Sequence, residues 1–142
     1  RDEAGGPVAR VEDDGTVRIL VVDDNHDAAD ALCMLLTFNG HETHIEHDGA
    51  AAVAAAATFH PDIILMDIGL PGLNGYEAAR QIRAQHTGGD RPVLVAVTGW
   101  GQSEDRQRSK NAGFDAHVVK PMDDVTLARM LAEYGAGRRR ST

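Results

Sequence analysis

The stretch IILMDIGLPGLNG (Ile63–Gly75) begins as a strand-like apolar run and ends as a loop, and one carboxylate stands between the two. Four apolar residues lead to Asp67, and glycine, proline and asparagine then turn the chain into a loop. Burying a carboxylate at the end of an apolar strand costs several kcal/mol unless another group compensates its charge. The residues that reach the same edge of the fold therefore determine what Asp67 does.

The composition is that of one small acidic domain. The chain has 142 residues, of which 42% are hydrophobic and 4% aromatic, so we expect a single domain with an aliphatic core. The formal net charge of −8 argues against nucleic acid as the main partner. No apolar run approaches the roughly 20 residues of a membrane span, and the polar N-terminus is unlike a signal peptide. The single cysteine, Cys33, excludes an internal disulfide and favours a cytoplasmic location, even if a parent protein is membrane-anchored.

The pattern along the chain predicts three regions. Residues 1–16 are interpreted as a linker or disordered extension, residues 17–134 as the folded domain and residues 135–142 as a flexible tail. The basic residues Arg138–Arg140 are interpreted as a solvated end. Because the chain begins at Arg1, we expect either a piece of a longer polypeptide or a trimmed chain.

Strand-like and helix-like segments alternate five times, which is typical of βαβ units and a parallel sheet with helices on both faces. The predicted strands are Val17–Val22, His41–Glu46, Asp62–Met66, Pro92–Val97 and Ala116–Val119. The predicted helices are Asn25–Asn39, Gly49–Phe59, Gly75–His86, Ser103–Ala112 and Asp123–Tyr134. The fourth helix has almost no apolar stripe, so we expect it to be loosely held and suited to a switch.

Polar side chains follow four of the five strands, and the carboxyl ends of parallel strands share one edge of a sheet. They are Asp23, Asp24, Asp67, Thr98 and Lys120. Each has an ordinary alternative taken singly, since Asp24 can cap a helix, Thr98 can start a turn and Lys120 can be solvated. Together they predict a binding site.

The predicted site needs a cation. At about 4 Å and an effective dielectric near 20, each pair of carboxylates repels by about 4 kcal/mol. Hard oxygen ligands without a well-placed cysteine or histidine favour Mg²⁺ over zinc. A phosphate fits the remaining groups, because Lys120 supplies a positive charge and Thr98 a hydroxyl donor.

Four motifs, in this order and spacing, are together similar to those of response-regulator receiver domains of two-component phosphorelays. They are Asp23–Asp24 in LVVDDN, Asp67 in LMDIGLPGLNG, Thr98 in VAVTGWG and Lys120–Pro121 in VVKP. The resemblance covers Val17 to Tyr134. It implies a doubly wound, flavodoxin-like α/β fold with a five-stranded parallel sheet in the order 2-1-3-4-5.

The resemblance also implies roles for individual residues. Asp67 is the acceptor of a phosphoryl group from a histidine kinase or a histidine phosphotransfer protein, and kinase domains of a parent chain are further expected partners. Mg²⁺ is bound by Asp24 directly, by Asp23 through water, by Asp67 and by the main-chain carbonyl of Gly69. Lys120 pairs with the phosphoryl oxygens and forms a cis peptide with Pro121. The implied domain is a phosphoacceptor and not an enzyme in its own right.

Three positions bear on switching and lifetime. The family usually has Tyr or Phe where this chain has His117, so a pH-sensitive switch is one hypothesis and an ordinary histidine the alternative. Gly69 leaves the space beside Asp67 open to attacking water. Trp100 lies in the loop that is expected to move with Thr98, so its fluorescence should report phosphorylation.

Other interpretations stay open. The histidines at 41, 44 and 47 suggest a metal site, but alternation along a strand sets His44 opposite to the other two, so a polar edge strand is favoured. An aspartate-nucleophile phosphatase is a second functional class, although such enzymes typically have DxD on the first strand, where this chain has Asp23-Asp24-Asn25. A degenerate receiver that only binds partners is a third.

Overall fold

The computed structural model describes residues 17–70, 72–86, 91–98, 103–119 and 124–135. Within these residues five strands alternate with five helices. They are β1 (Arg18–Val22), α1 (His26–Phe38), β2 (Glu42–Glu46), α2 (Gly49–Phe59), β3 (Ile63–Asp67), α3 (Gly75–Gln85), β4 (Val93–Thr98), α4 (Ser103–Ala112), β5 (Ala116–Val119) and α5 (Asp124–Gly135). Every predicted segment has the predicted type, and each bound lies within one residue of the predicted one.

The strands form one parallel sheet in the order β2-β1-β3-β4-β5, which confirms the predicted fold and strand order. Val22 is in register with Met66, Asp67 with Val97, and Thr98 with Val119. The carboxyl ends of β1, β3, β4 and β5 therefore meet at one edge. The order reverses between β1 and β3, which is where open α/β sheets bind ligands.

Two apolar layers cover the sheet, which explains why its central strands are continuous apolar runs. One layer joins the sheet to α1 and α5 through Leu36, Leu127 and Met130. The other joins it to α2, α3 and α4 through small alanines and through Ile82. The edge strand β2 is more polar and half-exposed.

The polar helix α4 packs beside α3 and β5. Its Ala112 is buried, and the guanidinium of Arg108 lies 4.2 Å from the ring centroid of Tyr76 on α3. Such a cation–π contact is worth about 0.5–1 kcal/mol at an exposed site. That α4 is loosely held stays a prediction.

Arg83, near the end of α3, ties three parts of the chain together. Its guanidinium donates to the carbonyl oxygens of Pro92 at 2.7 Å and Gly113 at 2.9 Å, and it forms an ion pair with Asp115. Asp115 in turn accepts from the main-chain N–H of Leu94 at 2.9 Å. This clamp fixes the starts of β4 and β5 against α3.

The predicted linker (residues 1–16) and residues 136–142 of the predicted tail lie outside the described residues, and Gly135 ends α5. Among the helices that the structure describes, none has both the length and the apolar character that crossing a bilayer requires.

Candidate phosphoryl-acceptor site

Three aspartates meet at the carboxyl edge of the sheet. Asp23 and Asp24 directly follow β1, and Asp67 is the last residue of the neighbouring β3. Because the two strands run in register, these residues leave the sheet at the same level. Carboxylate oxygens of Asp23, Asp24 and Asp67 all lie within 4.8 Å of one another. The structure thus brings together the three acids that the sequence placed at this edge.

Asp23 is only 8% exposed, and main-chain groups hold it in place. Its Oδ1 accepts from the N–H of Asn25 at 3.0 Å, and its own N–H donates to the carbonyl of Glu46 at 3.1 Å. Asn25 is the N-cap of α1, because its side chain accepts from the N–H of Ala28 at 3.0 Å. The alternative that Asp24 caps this helix is therefore wrong.

Asp67 is half-buried, and its Oδ1 accepts from the N–H of Gly69 at 2.9 Å. The loop after it folds back closely, since a Cβ on Gly75 would lie 2.5 Å from Cα of Ile68. Asn74 then caps α3 by accepting from the N–H of Glu77 at 3.0 Å. The described contact of Gly69 is its N–H bond, so metal coordination by its carbonyl stays a prediction.

The chemistry of the three aspartates fits a hard divalent cation. All donors are carboxylate oxygens, the ligand type that Mg²⁺ prefers, and their mutual repulsion is relieved by positive charge. In the part of the chain that the structure describes, this is the one group of three or more acidic, histidine or cysteine side chains close enough to hold an ion. The donor set thus fits the predicted Mg²⁺.

Two histidines that the sequence did not assign to the site lie beside it. The rings of His26 and His47 stack with centroids 3.6 Å apart and planes 8° apart. Nδ1 of His47 lies 3.0 Å from the carbonyl oxygen of Asp23. Since a carbonyl only accepts, Nδ1 of His47 carries the proton. The stacked pair therefore supports the main chain at the first aspartate.

The three histidines at 41, 44 and 47 each contact a different group. Nδ1 of His41 accepts from the N–H of Val17 at 3.1 Å, and His44 pairs with Glu46 at 2.8 Å. β2 spans Glu42–Glu46. His44 therefore lies on the strand, as predicted, whereas His41 and His47 lie just outside it.

Cys33 lies in α1 and is 8% exposed, as expected of a small hydrophobe. Desolvation by burial raises the pKa of its thiol. A thiol held protonated is a poor nucleophile and a poor metal ligand, so Cys33 is a core residue and adds nothing to the site.

Thr98, the last residue of β4, is 5% exposed, and its Oγ1 lies 3.2 Å from Nε2 of His117 on β5. These two predicted switch residues are therefore in direct contact. Lys120, the Lys120–Pro121 bond and Trp100 lie outside the described residues.

A cavity of about 360 Å³ adjoins the acids. Asp23 and Asp67 line it together with apolar residues of the sheet and α1, among them Val21, Leu65 and Leu35. Two of the three acids thus stand at the side of an apolar cleft.

The fold and the acid cluster agree with the comparison to known families. The family described as "Response regulator receiver domain" matches residues 19–132. The chain belongs to this family. This receiver domain is 39% identical over 118 residues to the response regulator MprA of Mycobacterium tuberculosis, an alignment that covers 82% of the chain and 50% of MprA. The chain thus spans about half the length of the curated relatives that it matches.

Solved structures of other receiver domains are similar to this chain over most of its length. The receiver domain of the sensor histidine kinase PA1611 from Pseudomonas aeruginosa, with magnesium in its active-site cleft, is 34% identical with a TM-score of 0.75. That alignment covers 84% of this chain and 97% of the other. The chemotaxis protein CheY4 of Vibrio cholerae is 26% identical with a TM-score of 0.77, over 84% of this chain and 98% of CheY4.

Proposed function

We propose that this receiver domain accepts a phosphoryl group on Asp67 from a phosphohistidine donor, with Mg²⁺ held by Asp23, Asp24 and Asp67. The observation that carries the proposal is the meeting of these three carboxylates within 4.8 Å at the carboxyl edge of the sheet. A cluster of this kind repels itself, and it becomes favourable when a cation and an anionic ligand share it.

The transfer needs positioning and charge neutralisation more than covalent help from the protein. A carboxylate oxygen of Asp67 forms a bond to phosphorus while the phosphorus–nitrogen bond of the donor breaks. The electron pair of that bond stays on the imidazole nitrogen of the donor. The N–H of Gly69, 2.9 Å from Oδ1, orients the attacking carboxylate. Bound Mg²⁺ supplies positive charge that lets two anionic groups approach each other.

The metal assignment has support from the chemistry of the site and from a relative. The three aspartates offer only hard oxygen donors. Magnesium lies in the active-site cleft of the PA1611 receiver domain, which is 34% identical to this chain. In this proposal Asp24 would bind the ion directly and Asp23 through water, and Asp67 and the main-chain carbonyl of Gly69 would complete the ligands from the protein.

The proposed readout is a change at the edge formed by β4, α4 and β5. Lys120 pairs with the phosphoryl oxygens, and Thr98 moves to donate its hydroxyl proton to them. Because the sequence of α4 is almost entirely polar, we expect it to be loosely held, so that a small shift of Thr98 alters the surface around α4 and β5. The domain then acts as an acceptor that changes what this surface binds, not as a catalyst of substrate turnover.

The proposed phosphodonor is a histidine kinase or a histidine phosphotransfer protein. Among the relatives, MprA is a response regulator and the PA1611 receiver domain belongs to a sensor histidine kinase. Both kinds of protein therefore remain as parents of this receiver domain. The formal charge of −8 argues against direct nucleic-acid binding by this domain.

The proposal is tested by phosphorylation with a small donor. The protein is incubated with acetyl phosphate or phosphoramidate in Mg²⁺ or in EDTA, and the intact mass is measured. We expect a gain of one phosphoryl group that requires Mg²⁺ and is lost in Asp67→Asn, whereas Asp30→Asn, an exposed acid on α1, leaves it unchanged. Uptake that survives in Asp67→Asn contradicts the proposal. Continuous release of phosphate from simple esters favours the phosphatase alternative instead.

A further inference from the structure

Thr98 and His117 project from the same face of the sheet and touch. His117 is in register with Ala96, and Thr98 lies two residues farther along β4. The alternate residues Val97 and Val118 belong to the core on the opposite face. The contact joins Oγ1 of Thr98 to Nε2 of His117 across 3.2 Å. Thr98 follows Val97, which is in register with Asp67 on β3, so Thr98 ends β4 one residue beyond the level of Asp67.

The threonine hydroxyl has a single proton to donate. When it donates that proton to Nε2 of His117, the same proton is not available to a phosphoryl oxygen. A phosphoryl group on Asp67 and the ring of His117 then compete for one donor. An imidazole stands next to Thr98 in this chain, and its Nδ1–H tautomer presents Nε2 as the acceptor on which this competition depends.

We propose that His117 is a positioning residue that holds the hydroxyl of Thr98 in the unphosphorylated domain, so that phosphorylation must break the Thr98–His117 hydrogen bond. The inference rests on the proposed function of Asp67. In this inference the Thr98–His117 bond stabilises the inactive state, so His117 opposes activation and does not merely follow the movement of Thr98. Loss of the bond is expected to make activation easier.

The first test measures binding of beryllofluoride, which mimics a phosphoryl group on a carboxylate, in the presence of Mg²⁺. His117→Phe keeps a ring but removes the acceptor nitrogen, and we expect its apparent affinity to be about two- to tenfold higher than that of the parent chain. His117→Gln restores an acceptor and is expected to return the affinity to within about twofold of the parent value. Unchanged or weaker binding by His117→Phe overturns the inference.

A double-mutant cycle separates the hydrogen bond from any general effect of the ring. Thr98→Ala removes the donor, so His117→Phe is expected to have no further effect on beryllofluoride affinity in that background. Thr98→Ser retains the hydroxyl and is expected to preserve the effect of His117→Phe. An equal effect of His117→Phe with and without the hydroxyl contradicts a direct bond.

The second test reads the bond itself and requires no ligand. Nitrogen NMR of the imidazole at pH 8, where histidine is ordinarily neutral, identifies which ring nitrogen carries the proton. We expect the Nδ1–H form of His117, with an Nε2 resonance that shifts in Thr98→Ala. Protonation at Nε2 overturns the inference, because the histidine would then be the donor.

The outcomes also distinguish this inference from the proposed function. If beryllofluoride binds to the parent chain and not to Asp67→Asn, while His117→Phe changes nothing, only the role of His117 fails. If the parent chain does not bind beryllofluoride at all, the proposed function fails. The NMR measurement still shows which residue is the hydrogen-bond donor in the Thr98–His117 contact.

Discussion

The main-chain N–H of Gly69 donates a hydrogen bond to Oδ1 of Asp67 across 2.9 Å. The donor of this bond is a main-chain N–H, so any residue at position 69 other than proline retains it. A Cβ built on Gly69 would lie 3.5 Å from the same oxygen, an ordinary van der Waals separation. Position 69 therefore accepts a side chain without strain, and that side chain would stand beside the proposed acceptor oxygen.

Replacing Gly69 is expected to lengthen the life of the phosphorylated state. In Gly69→Leu the added side chain obstructs water that approaches the acyl phosphate, and we expect hydrolysis to slow by about three- to tenfold. Gly69→Ala, which adds only the Cβ, is the matched control and should have a smaller effect. The decay of the phosphorylated mass after donor removal measures both rates. Faster hydrolysis in Gly69→Leu would contradict this account.

Removing one carboxylate from the acid cluster is expected to have opposite effects with and without metal. In EDTA, Asp24→Asn relieves a repulsion that water screens because Asp24 is exposed, so the free energy of unfolding should rise by about 1 kcal/mol, or a few degrees in Tm. With Mg²⁺ at about 100 times its Kd the parent chain should gain about 2.7 kcal/mol, and the variant much less. Asp30→Asn on α1 is the control and should change neither value. A variant with the full Mg²⁺ effect would exclude Asp24 as a ligand.

The clamp around Arg83 is expected to contribute strongly to the free energy of unfolding. It lies at the amino-terminal ends of β4 and β5, at the edge of the sheet opposite to the acids. Arg83→Met leaves two carbonyls and the carboxylate of Asp115 without their charged donor, at an expected cost of about 2–4 kcal/mol in the free energy of unfolding. Arg80→Met is the matched control on the same helix, because Arg80 makes an exposed pair with Glu77 at 3.1 Å that is worth under about 1 kcal/mol. Urea unfolding measures both variants, and equal losses would refute the clamp.

The fold and the three acids were predictable because they depend on local pattern and on one topological rule. Apolar runs bounded by turn residues mark the strands, and parallel strands place their carboxyl ends at one edge. The meeting of Asp23 and Asp67 follows from those two facts without any knowledge of side-chain conformation. The order of the strands required the resemblance, since alternation alone does not determine it.

The contacts around the acids were not predictable, because they depend on pairing between distant residues. His47 lies 24 residues from Asp23, and the two meet because β1 and β2 pair with Val22 opposite Glu46. The stacking of His26 on His47 depends on where α1 begins, which is directly after its N-cap Asn25. A prediction of the β1–β2 register would have placed His47 near the site.

His47 is expected to strengthen metal binding through the main chain of Asp23. His47→Phe keeps a ring that can stack on His26 but removes the donor to the Asp23 carbonyl, and we expect Mg²⁺ affinity to fall by about three- to tenfold because the ligand is less well oriented. His47→Gln retains an N–H donor and should recover part of the loss. His44→Ala is the matched control, since His44 pairs with Glu46 on β2 outside the acid cluster. Calorimetric titration with Mg²⁺ measures all three variants, and an affinity in His47→Phe equal to that of the parent chain would remove His47 from the site.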